Sequence, residues 1–148
     1  MTKKTNRKAG TVKNSAASGR YQKSKASNKA RAFALAAAKV ASERHCSDIV
    51  VLDLRGISPA TDYFVIATGT SDRQMRTVAD EICDEAKKQG LMQFGRAGYE
   101  QARWILLDFI DVVVHIFDSE YRDYYDLELL WGDAKRLTID TAAPKRRS

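Results

Sequence analysis

The chain has 148 residues, 44% of them apolar and 30% charged, with two cysteines and a formal charge of +6. That is enough for one core plus tails, and no apolar run approaches the ~20 residues a membrane span needs. The N-terminus lacks the apolar stretch of a secretory signal, and Cys46 and Cys83 make no disulfide framework, so a reducing cytoplasm is the expected compartment.

The charge is unevenly placed. Residues 1–29 hold nine Lys/Arg and no acid, whereas residues 30–138 set 13 bases against 18 acids, a net of −5. The isoelectric point near 9.4 therefore reflects the tails. A basic arm on an acidic body suits a polyanionic partner reached through the arm. Residues 1–27 are rich in Lys, Ser, Ala and Asn and are expected to be disordered, because they bury too little to offset chain entropy. A transit peptide is the rival reading of the arm; its Lys-heavy composition and lack of an amphipathic stripe stand against that reading.

From residue 28 onward the pattern predicts one α/β domain, 28–138, with a mixed sheet flanked by helices. Ser27 or Asn28 caps a first helix running to about Arg44, with Phe33, Ala37, Val40 and Ala41 on one face. Ile49–Leu52 and Tyr63–Ala67 read as strands, separated by a loop at Gly56-Ile57-Ser58-Pro59. Ser71 with Gln74 forms a capping box. It opens a helix whose buried stripe is Met75, Val78, Ala79, Ile82, Cys83 and Ala86, closed by Gly90. Residues 91–101 are irregular or a short strand. Trp104–Phe109 and Val112–Phe117 form a hairpin, and a final helix begins at Asp118 or Ser119 and weakens at Gly132. Residues 139–148 are a basic tail.

Pairing Phe109 with Val112 sorts the hairpin by strand alternation. Ile105, Leu107, Phe109, Val112, Val114 and Ile116 fall on one face, all apolar. Trp104, Leu106, Asp108, Val113, His115 and Phe117 fall on the other, a mixture of aromatics, a histidine and an acid. Two readings follow. Either helices cover both faces and His115 is a satisfied core histidine, or the second face stays partly open for a partner. Ile110 resists the positive φ that a two-residue turn often demands, so a longer or bulged turn is expected.

Three segments in order, Thr61–Gln74 (TDYFVIATGTSDRQ), Trp104–Phe117 (WILLDFIDVVVHIF) and Tyr124–Trp131 (YYDLELLW), resemble the Iojap family of ribosomal silencing factors, RsfS in bacteria. The likeness covers about residues 30–136. It implies a small α/β domain of nucleotidyltransferase-like topology, monomeric or dimeric. By the same likeness the domain docks on the large ribosomal subunit through the large-subunit protein numbered fourteen. Docked there, it blocks subunit joining sterically and represses translation when nutrients are short. The partner-binding residues implied are Trp104, Asp108, Asp111, His115, Tyr125 and Leu127, with Trp131 packing the core and Asp62 and Ser71 in turn and cap roles. Two departures lie near the implied docking edge, namely Ile110 where the family usually has Gly and Ala97 where it often has Glu. The basic arm lies outside the family core; its expected contact is ribosomal RNA phosphate, and the alternative to that contact is a plain solubilising tail.

Two other classes of function fit the residues less well. A nucleotidyltransferase-like metal enzyme needs converging carboxylates, whereas Asp108 and Asp111 stand three apart across a turn and no phosphate loop with a Walker lysine follows a strand. His45, Cys46, Cys83 and His115 lack zinc-ligand spacing. An RNA-binding module acting through the arm alone sits poorly with an acidic body. No enzyme activity, cofactor or metal is expected.

Overall fold

The computed structural model describes residues 15–139, with side chains from Asn28 onward; the first half of the basic arm and the tail from residue 140 lie outside the described residues. The elements run α1 (Ser15–Glu43), β1 (Ser47–Asp53), β2 (Tyr63–Thr68), α2 (Asp72–Lys88), β3 (Gly95–Ala97), β4 (Trp104–Asp108), β5 (Val112–Phe117), α3 (Ser119–Tyr125), α4 (Leu127–Leu130) and β6 (Lys135–Arg136). They build one mixed α/β domain on a six-stranded sheet of order β3-β4-β5-β2-β1-β6. The central β2–β5 pair is parallel and every other pair antiparallel.

α1 starts at Ser15, well before the cap expected at Ser27 or Asn28. Residues 15–27 contain Ala, Arg, Gln and Lys, all good helix formers. Once the packed half has nucleated a helix, each added residue gains a bond at little cost. The packed half buries Ala30, Phe33, Ala34, Ala37, Ala38 and Ala41, a stripe at helical spacing. The end is a Schellman motif, with Cys46 N–H donating to the Ala41 carbonyl (2.9 Å) and His45 N–H to Ser42 (3.0 Å). His45 takes the left-handed position at φ 69° that glycine usually fills.

α2 begins as its sequence indicates, with Ser71 Oγ accepting the Gln74 N–H at 3.1 Å. The return arm of the box goes elsewhere: Gln74 Oε1 accepts from Thr70 N–H, and Gln74 Nε2 donates to the Arg44 carbonyl, tying the start of α2 to the end of α1. Met75, Val78, Ala79, Ile82 and Ala86 are buried, with Cys83 partly covered. Gly90 closes the helix in the left-handed region, with Leu91 N–H on the Ala86 carbonyl.

α1 and α2 cover one face of the sheet. Their stripes meet the side chains of Ile105, Leu107, Phe109, Val112, Val114 and Ile116, the hairpin face read as core. The opposite face carries a second, smaller cluster: Leu52, Leu54, Ile66 and Phe117, with Phe64, Trp104, Tyr121, Leu127 and Trp131 packed around it. Trp131 packs edge-on to Phe64, centroids 6.1 Å apart.

Two expectations need correction. The final helix is not continuous, because Asp126 adopts a left-handed conformation (φ 44°) that ends α3 and restarts the chain as α4. A short Asx side chain tolerates that conformation better than most residues. The break is held by Arg122, which donates from Nη1 to Thr68 Oγ1 at 2.8 Å and from Nε to Glu128 Oε1 at 3.0 Å. The other is Ile110, which does take the positive φ it was expected to resist, in a three-residue connection, 109–111, between β4 and β5. Phe109 N–H donates to the Val112 carbonyl at 2.9 Å and draws the two ends of the connection together. Ile110 accepts φ 73° at the centre of a γ-turn, closed by Asp111 N–H on the Phe109 carbonyl (2.9 Å). Asp108 Oδ1 accepts the Ile110 N–H at 2.8 Å and holds the turn from its other side. One strand was not foreseen: β6, two residues long, adds an edge beside Leu52 and Asp53.

Candidate docking face

The register of the hairpin decides what its second face presents. Trp104 pairs with Phe117 and Leu106 with His115, so Trp104, Leu106, His115 and Phe117 share one side of the sheet. α3 is fixed above them by Asp118, whose Oδ1 caps the Tyr121 N–H at 2.8 Å and whose own N–H donates to the Arg103 carbonyl at 2.9 Å. The start of α3 is thereby tied to the start of β4. Between them lies an open groove of about 720 Å³, lined by Ala97, Gly98, Gln101, Arg103, Trp104, Leu106 and Tyr121.

Trp104, half-buried, is the hub of this face. Its ring stacks on Phe117 at 4.9 Å, meets Tyr125 at 4.7 Å and lies 5.9 Å from His115. Its indole Nε1–H donates to His115 Nδ1 at 3.1 Å. That bond requires Nδ1 to be an acceptor, which places the proton of neutral His115 on Nε2. His115 is only 4% exposed, and burial pushes its pKa down to about 3. Its Nε2 finds no partner among the described residues.

Arg103, which flanks the groove, is already engaged. It donates to Asp118 Oδ2 and Glu120 Oε1, both at 2.5 Å, and its guanidinium lies 4.4 Å over the Tyr121 ring. Beyond the groove, α3 and α4 leave Tyr124, Leu129 and Leu130 more than 70% exposed and Tyr125 43% exposed. Tyr125 touches Trp104 and packs edge-on to Tyr124 at 4.9 Å, so the two tyrosines extend the aromatic surface outward.

The six residues named from sequence divide into two groups. Trp104, His115 and Tyr125 come together, and Leu127 packs into the same cluster. His115 lies beneath that surface rather than on it. Asp108 and Asp111 stand at the hairpin tip and do local work. Asp108 holds Ile110, while the Asp111 carbonyl accepts from Asp62 N–H (3.0 Å) and Tyr63 N–H (3.1 Å). Burial, reinforced by nearby Asp62, raises the Asp111 carboxyl above its ordinary value. Sequence reasoning set Ala97 near the docking edge but missed the groove's other walls, Gly98, Gln101 and Arg103. The one legible signal was Arg103 beside Trp104, since its acidic partners lie 15 and 17 residues away across the hairpin.

A mixed α/β domain with a half-open aromatic face has the make-up of a macromolecule-binding module. Residues 27–148 match the family model "Ribosomal silencing factor during starvation", and the chain belongs to this RsfS family. It is 44% identical over 104 residues to the ribosomal silencing factor RsfS of Bacillus subtilis, covering 70% of this chain and 88% of that one. It is 38% identical over 107 residues to the chloroplastic Iojap protein of Zea mays, covering 72% of this chain and 46% of that one. Among solved structures, a Bacillus halodurans protein superposes with a TM-score of 0.60 at 37% identity, over 72% of this chain and 94% of that one. A Chromobacterium violaceum protein superposes at 0.64 and 31% identity, over 80% and 95%.

Proposed function

We propose that this chain is a translational silencing factor that acts in the cytoplasm by docking on the large ribosomal subunit and sterically blocking association with the small one. The contact proposed is the large-subunit protein numbered fourteen, engaged by the Trp104 face. The observation that carries this reading is the half-buried Trp104 at the edge of an open groove, in contact with exposed Tyr125, which in turn packs on exposed Tyr124. Rigid aromatic anchors of this kind supply much of the energy of protein interfaces. Membership of the silencing-factor family supports the same reading. No reaction is needed, since occupying the surface suffices.

Sedimentation of ribosomal subunits with and without the protein tests this. Co-migration with the large subunit and fewer joined ribosomes are expected. Normal joining in saturating excess of the protein would defeat the proposal.

The basic arm has its own role in this reading. Residues 1–29 carry nine Lys/Arg and no acid, and we assign them contacts to ribosomal RNA phosphates, whose strength falls steeply with salt. Removing residues 1–27 then weakens subunit binding more at low salt than at high salt. An equal loss at both would remove the phosphate contacts.

A further inference from the structure

The two strongest donors bordering the Trp104 groove are engaged from within. The indole N–H of Trp104 goes to His115 Nδ1 at 3.1 Å, and Arg103 is shared between Asp118 and Glu120. What faces the opening is mainly apolar, the ring of Trp104 with Leu106, Ala97 and Tyr121, edged by Gln101 and the paired Arg103. His115 is enclosed, packed edge-on to Phe64 with centroids 4.5 Å apart and lying parallel to Phe117 at 6.1 Å. It reaches no solvent-exposed partner and acts only through the indole.

We propose that His115 is a positioning residue that fixes the Trp104 indole by accepting its N–H, and that the groove so shaped seats an apolar side chain of a protein partner. The proposal rests on the docking reading given above and adds the chemistry of the contact. With its one donor held inward, Trp104 presents only an apolar ring. A carboxylate or phosphate entering here would be stripped of water against the apolar floor, with the Trp104 N–H turned away and the Arg103 charge already shared between two acids. An aliphatic or aromatic side chain loses nothing by the same move.

Two variants of the full chain separate positioning from bulk stability. His115→Phe keeps a ring in the aromatic stack but has no acceptor. His115→Asn places its carbonyl oxygen where Nδ1 stood but leaves a void. Stability should rank Phe above Asn, because a void costs packing, while docking should rank Asn above Phe. The Trp104 indole N–H resonance, identified by its loss in Trp104→Phe, should move and exchange faster with water in His115→Phe and stay near its original position in His115→Asn. Co-sedimentation affinity for the large subunit should fall about tenfold in His115→Phe, the loss of one buried pairing, and should be largely retained in His115→Asn. The affinity attributable to the groove, measured with residues 1–27 removed, should change little between low and high salt.

An indole resonance unmoved in His115→Phe overturns the positioning role. Docking that tracks stability, with Asn worse than Phe, overturns it as well. A steep salt dependence in the armless protein overturns the apolar seat. If the wild-type chain fails to sediment with large subunits, the docking reading and the seat fall together, while the resonance still reports whether His115 holds the indole.

Discussion

Gly98 lies against the backbone of Trp104 so closely that a Cβ on it would stand 1.9 Å from the Trp104 carbonyl oxygen. Its φ of 78° is also one that L side chains rarely adopt. Both constraints act on the loop that forms one wall of the groove. Gly98→Ala is expected to cost at least about 2 kcal/mol of stability, from the strained backbone and from a clash with a rigid carbonyl. Urea unfolding measures this. A loss under about 0.5 kcal/mol, the range of an ordinary surface change, would mean the loop moves freely away from β4.

Trp104 is half-buried, so its removal is felt in two ways. Trp104→Ala should lower docking by roughly 2 kcal/mol or more as a hot spot. It should also lower stability, since contacts with Phe117, Tyr125 and His115 are lost. The chain should nevertheless keep a cooperative unfolding transition, because the main core lies on the other face of the sheet. Circular dichroism melts beside subunit sedimentation separate the effects. A variant with no folded baseline would make Trp104 a core residue.

Ile110 holds φ 73° at the hairpin tip with its side chain 49% exposed. A β-branched residue there is strained by about 1–3 kcal/mol, and glycine is not. Ile110→Gly should raise stability by up to about 1 kcal/mol, after the added entropy of an unfolded glycine is set against the relieved strain. A drop in the urea midpoint would show instead that the Ile110 side chain packs against its neighbours more strongly than the turn is strained.

Acid should find His115. Its folded pKa, near 3, lies below the ordinary value of 6.5, so the unfolded chain binds the proton more readily than the native one. The contribution is fully present above about pH 6.5 and is lost as pH falls from there toward 3, at roughly 1 kcal/mol per pH unit. Asp111 has the opposite sign, since its raised carboxyl favours the folded state as it protonates, but it acts only in the carboxylate range. Urea unfolding between pH 7 and 5 therefore isolates the histidine. His115→Phe should flatten that interval. An equally steep loss in the variant would assign the acid sensitivity elsewhere.

Much of this architecture was legible in the residues. The two hairpin faces follow from alternation alone, because Ile105, Leu107, Val112, Val114 and Ile116 leave no other apolar side, and the observed register matches that pairing. Ser71 and Asp118 mark helix starts by chemistry that needs no tertiary context. What escaped depends on contacts between distant positions. The break at Asp126 is stabilised by Arg122 bridging Thr68 and Glu128, 54 and 6 residues away. The Trp104–His115 bond requires the hairpin to close before the two side chains face each other. Ile110 ran against its local preference because a hydrogen bond from each flank overrode it.

Among the described residues, the sheet's only parallel pair joins residues 63–68 to residues 112–117 at its centre. During synthesis the first of these strands emerges long before the second, and at about 5–20 residues per second the apolar Tyr63–Thr68 segment waits seconds for its neighbour. A nascent chain cut short before Val112 has no middle to its sheet, so neither α1 nor α2 has a finished surface to rest on. On the docking reading proposed above, the working face would exist only once most of the chain has been translated.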